Sequence, residues 1–148
     1  MNTEDRELRL RHLDALQNIV GRLSQNSFTI RGWSVTLASV ILAFASTQRG
    51  PKSSLVILAL VPAWIFWGLD AYYLRQERLF RSLHVAVAHD LADLAADANV
   101  EPFDMRIDRF QHQVPPWRKI LLVPHVVAIP AALTVITAAV ALYEVISN

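Results

Sequence analysis

Asp70 closes an aromatic run, Trp64-Ile65-Phe66-Trp67-Gly68-Leu69, that carries no other charge. A carboxylate at the end of an apolar stretch is costly unless a cation or water meets it. It has two readings: an ion-path or gating carboxylate, or an interfacial acid met by Arg31, Arg75 or water of the lipid headgroup zone. The interfacial reading asks for less and is favoured. Glu144, near the end of the last apolar run, is read the same way. Among the five histidines, His89 and Asp93 have the four-residue spacing of a pair on one helix face. His84 and His89, five apart, are poorly placed for joint ligation, and there is no HExxH, so these histidines are read as structural or solvated. His125, between Pro124 and Pro130, is placed against a neighbouring helix or the interface, with a proton relay as the alternative. Ser24, Ser27 and the threonines lack a paired histidine and a glycine-rich elbow. With only four glycines there is no phosphate-cradling loop. Catalytic residues, a metal site and a cofactor are therefore not expected, and the chain does not read as an enzyme.

The elements that position Asp70 must be apolar. Of 148 residues, 53% are hydrophobic and only 18% charged, against about 25% in ordinary soluble domains. The charge is missing from three segments and dense between them, which points to lipid as solvent. A net charge of +1 implies no pull on nucleic acid. The absence of cysteine removes disulfides and thiolate chemistry together.

The expected fold class is all-α and integral to a membrane: three transmembrane helices with long helical cytosolic extensions that form a hairpin. Residues 1–27 form a cytosolic amphipathic helix, too polar for a signal peptide. Residues 28–47 form the first transmembrane helix, with Arg31 near one end and able to snorkel. Residues 48–53, with Gly50 and Pro51, form an outer turn. The second transmembrane helix covers 54–74; its aromatic end suits a membrane interface, and Pro62 is a site for a kink. Residues 75–98 continue it into the cytosol, 99–118 form a connector, and 119–146 form the third transmembrane helix.

Two apolar stripes support the hairpin: Leu13, Leu16, Val20 and Leu23, then Leu79, Leu83, Val87, Leu91 and Leu94. Asp90, Asp93 and Asp97 are expected to face solvent. The alternative is that a stripe lies flat on the membrane. Pro102 is expected to end the long helix, and Pro115-Pro116 to force an extended entry to the third. Between them Phe103, Met105 and Ile107 alternate with Asp104, Arg106 and Asp108, compatible with a strand, an edge or a loop. Twelve basic residues fall in the N-terminal segment and the 74–119 connection, against Arg49 and Lys52 in the outer turn. The positive-inside rule then puts the N-terminus in the cytosol and the C-terminus outside.

Small residues four apart, Ser39/Ala43 and Thr134/Ala138, allow close helix approach in lipid. Ser34/Ala38 and Thr137/Ala141 repeat the spacing. Three short helices enclose little interior, so some of these faces are expected to pack between subunits of a homo-oligomer.

Asn26-Ser27-Phe28, Gly32-Trp33-Ser34-Val35-Thr36 and the stretch from Phe66-Trp67-Gly68-Leu69-Asp70 through Ala71-Tyr72-Tyr73-Leu74-Arg75-Gln76-Glu77-Arg78-Leu79-Phe80 resemble small multi-pass bacterial membrane proteins of anti-phage islands. They are similar in plan to the SLATT and Pycsar transmembrane effectors. The resemblance implies a bacterial inner-membrane effector that permeabilises or depolarises the membrane on a signal from an upstream nucleotide-signalling enzyme. It draws attention to Asp70, Tyr72, Tyr73, Arg75, Glu77 and Arg78 as gating or interface positions. On physical grounds alone the same residues form an interfacial collar with Arg/Glu pairs one turn apart. A second class of function is a structural accessory subunit that anchors or regulates a cytosolic partner through its hairpin. A small transporter is a third, with few intramembrane polar groups to support it.

Overall fold

A computed structural model describes residues 3–47, 53–92, 101 and 103–147. Every regular element among them is helical: α1 (Thr3–Thr47), α2 (Ser53–Leu58), α3 (Leu60–Leu91), a 3-10 turn (Asp108–Phe110), α4 (Trp117–Leu121) and α5 (Pro124–Ser147). The expected outer turn, Leu94, Asp93, Asp97, the end of the 75–98 extension, Pro102 and the Glu144 side chain lie outside the described residues. Three helical stretches, Thr3–Thr47, Val56–Leu91 and Pro124–Tyr143, are long and apolar enough to cross a membrane. Only 17, 28 and 22% of their apolar windows is buried within the chain, so most of that surface faces outward. Phe28, Trp33, Val40, Phe44, Ile65 and Ile146 are among the large side chains it exposes. An apolar patch of this extent needs lipid or another subunit to cover it.

The prolines punctuate the helices. Pro62 has no N–H to give the carbonyl of Leu58. Three residues before it the helix parts at Ala59, whose N–H turns back to Val56 O at 3.2 Å. The third apolar run is likewise not one helix over 119–146. It parts at Leu122 and Val123, because Pro124 cannot donate to Ile120 and disfavours helical geometry at Val123. Val123 N–H bonds Ile120 O at 3.1 Å instead, and Pro124 occupies the first position of α5, where its missing N–H is harmless. Pro130 stays inside α5.

The chain forms two compact units. The first comprises Met1–Asn26 and Tyr73–Pro116. Its buried residues include His12 and Leu16 from α1, Glu77, Leu79, Leu83 and Val87 from α3, and Phe110 and Val114 from the connector. Four-residue intervals, 12 to 16 on α1 and 79 to 83 to 87 on α3, trace one stripe per helix. Arg9 bonds Asp90 across the two helices. Asp90 is thus a hairpin clasp rather than the solvated residue expected. The Phe103–Ile107 alternation is no strand: the segment is irregular and leads into the 3-10 turn. Asp104 organises it, accepting from Arg106 at 3.0 Å and Arg109 at 2.8 Å. Arg106, the larger influence, holds the Asp104 carboxyl down to about 2. Phe103 sits at φ 64, in the left-handed region, and stacks on His12 with ring centroids 5.7 Å apart.

The second unit comprises Ser27–Tyr72 and Trp117–Asn148. Its centre is Ala38 of α1, Ala63 of α3 and Leu133 of α5, with Ile129 against them. Two alanines at the centre let the backbones approach closely, which is how helices associate without a hydrophobic driving force. On α5 the buried positions are Val126, Pro130, Leu133 and Thr137, a single helical face.

Candidate functional site

The polar centre of the second unit is Arg31 with Asp70. Arg31 Nε–H donates to Asp70 Oδ2 at 2.8 Å, and the Asp70 side chain is only 4% exposed. Of the three partners expected for Asp70, the structure selects Arg31. Asp70 belongs to the buried face of α3, seven residues after the buried Ala63. Arg31 arrives from α1 one turn before Ser34, which is also buried. The pair is one-sided. Asp70 Oδ1 is buried and has no hydrogen-bond partner among the described residues. Arg31, Ser34, Ala63, Phe66, Trp67, Asp70, Val126, Ile129 and Pro130 surround a cavity of about 10 Å³ there, close to what one water needs. A carboxylate oxygen beside such a space in an apolar unit is a hydration point.

Trp67 and Trp117 frame this end of the unit. Trp67 Nε1–H donates to Leu121 O at 3.1 Å, so the indole holds a carbonyl at the break between α4 and α5. Trp117 Nε1–H donates to Gly68 O at 3.3 Å. Trp64 meets Trp67 edge to face, with centroids 5.5 Å apart.

The remaining expected positions divide between the two units. Tyr72 is half exposed in the second unit. Tyr73, Arg75, Glu77 and Arg78 belong to the first unit. There Glu77 is buried and accepts from Arg81 at 2.6 Å, an in-helix pair. Arg75 is half-buried, and its Nε has no partner among the described residues. Of the small residues, Ser39, Ala43 and Ala138 face outward. Thr134 is half-buried and gives its hydroxyl to Pro130 O at 2.7 Å. Ser34, Ala38 and Thr137 face inward instead. The four-residue spacings thus divide between a face used inside the chain and one left open.

Sequence reasoning missed His12. It is fully buried, with neither ring nitrogen partnered among the described residues. Burial lowers its pKa, Asp104 raises it, and Arg9 lowers it. The four-residue step to Leu16 was the signal; the charged Arg9, Arg11 and Asp14 close by obscured it. Among the described residues no three His, Asp or Glu side chains gather as a metal set. Set against known protein families, curated proteins and solved structures, the chain matches none.

Proposed function

We propose that the chain is a self-associating effector of a bacterial inner membrane, acting in antiviral defence by permeabilising or depolarising that membrane on an upstream signal. The observation that carries this reading is the Arg31–Asp70 pair, buried among span-length apolar helices with one carboxylate oxygen open to a water-sized cavity. Closed, the unit shields two charges. If α1 and α3 separate, both charges are exposed at membrane depth and draw in water and headgroups. The outward Ser39, Ala43 and Ala138 give copies a face for close association. In this reading the N-terminus and the 74–119 connection are cytosolic and the C-terminus is outside, following the basic residues. The first unit then receives the signal, from a nucleotide-signalling enzyme or a cytosolic partner.

The test is membrane potential, read by a potential-sensitive dye, in cells expressing the chain alone and during phage infection. Depolarisation is expected in at least one condition. It should be lost when Arg31→Met and Asp70→Leu are combined at equal expression, because that variant keeps the volume and removes the charges. A potential intact in both conditions at verified expression overturns the effector and favours the accessory subunit that anchors a cytosolic partner.

A further inference from the structure

The first unit carries a groove of about 350 Å³ lined by Gln17, Val20 and Gly21 of α1 and Arg81 and His84 of α3. That volume lies at the small end of the range for small-molecule sites. Gly21 is the odd residue in it. Glycine inside a helix costs about 1 kcal/mol relative to alanine, and a Cβ built there meets nothing within 4 Å. Packing against a neighbour therefore does not require the glycine, and its lack of a side chain leaves the groove open on the α1 side. Across the groove His84 Nε2 is buried and has no partner among the described residues. Arg81 is anchored by Glu77 through one Nη, its side chain 65% exposed, and a guanidinium has five N–H donors. Arg81 and His84 are three apart and Gln17 and Gly21 four apart, so each pair shares a face.

We infer that this groove binds a phosphate group. Arg81 keeps donors beyond the one that Glu77 takes and Gln17 brings an exposed carboxamide; both line one volume beside the His84 ring, and such N–H groups are what phosphate oxygens accept. Glu77 does not block the site, because it is buried beneath Arg81 and holds the fork in place. The phosphate can come from a free anion or from an anionic lipid headgroup, since basic residues next to a span also attract such lipids. This inference is independent of any effector role, and its test needs no cell.

The full chain is reconstituted in nanodiscs of phosphatidylcholine. His84 ring resonances, assigned by loss in His84→Gln, are followed while inorganic phosphate is added, and again in discs containing phosphatidic acid. Saturable shifts with both probes support a general phosphate site; shifts with phosphatidic acid alone support a lipid headgroup site. Gly21→Leu starts from a position where a Cβ has open space and favours the helix, so it should fold, crowd the groove and lose the response. Arg81→Gln should weaken binding by about 10- to 100-fold, the range for a hydrogen bond to a charged group. No shift with either probe, or equal shifts in Gly21→Leu, overturns the site.

Discussion

Arg31 and Asp70, 39 positions apart in sequence, face each other with a 2.8 Å hydrogen bond, yet their exposures are unequal at 30% and 4%. The arginine reaches the surface of the unit while the aspartate does not, so removing either partner does different damage. Arg31→Met leaves a buried carboxylate with no cation; Asp70→Leu leaves a cation with a way out. The expected cost of Arg31→Met is about 3 kcal/mol, the low end for breaking a buried pair. Asp70→Leu should cost less, and the double variant should lie close to wild type. Thermal unfolding in one detergent, compared across the four proteins, checks the order. Equal losses for both single variants would show that the pair sits in uniform surroundings.

Trp67 is a hydrogen-bond donor as much as an aromatic filler. Trp67→Phe keeps most of the ring and removes the donor to Leu121 O. The carbonyl stands beside the break before Pro124, where helix bonds cannot replace the lost partner. A loss of about 1 kcal/mol is expected, together with faster amide exchange over residues 120–123. Unchanged exchange there would mean that the break is held by other contacts.

His12 gives the first unit a pH dependence. Its folded pKa lies below the ordinary value of 6.5, chiefly through burial. As pH falls the unfolded chain takes the proton first, so the stabilisation present above 6.5 declines through the folded value. The charged groups around the ring are Arg9, paired with Asp90, and Asp104, paired with Arg106 and Arg109. Asp104, at about 2, keeps its charge across this window, so the change belongs to the histidine. Amide exchange over 103–114, corrected for intrinsic rates, should be several-fold faster at about pH 5.5 than at 7.5. In His12→Phe that difference should vanish, and a difference that survives would place the titration elsewhere.

What the residues disclosed in advance follows from what their spacing fixes. Span-length helices and the two apolar stripes of the first unit were readable because apolar periodicity decides them: Leu16, Leu79, Leu83 and Val87 are all buried. Asp70 was readable as costly, but spacing along one helix does not choose between Arg31 and Arg75; packing of α1 against α3 does. Asp90 was misplaced because an acid opposite a leucine stripe reads as solvated until Arg9 is known to reach it. The third run was taken as one helix because Pro124 lies inside unbroken apolar sequence, where composition hides the missing donor. His12 and Gly21 carry no signal in composition, and each is defined by what lies across the hairpin from it.

The two alanine positions on α1 separate packing within the chain from packing between chains. Ala38 is fully buried against Ala63 and Leu133, whereas Ala43 is exposed. Ala38→Leu forces three methylene-sized groups into a filled space and should cost about 1–3 kcal/mol in unfolding. Ala43→Leu adds the same groups to an open face and should leave the monomer as stable as before. If copies associate through the Ser39/Ala43 face, the added bulk keeps backbones apart and should cut cross-linked dimer yield several-fold. Chemical cross-linking in native membranes, scored beside detergent unfolding, reads both effects in one set of proteins. Wild-type cross-linking in Ala43→Leu would move the association to the Thr134/Ala138 face of α5, where Ala138→Leu then becomes the deciding variant.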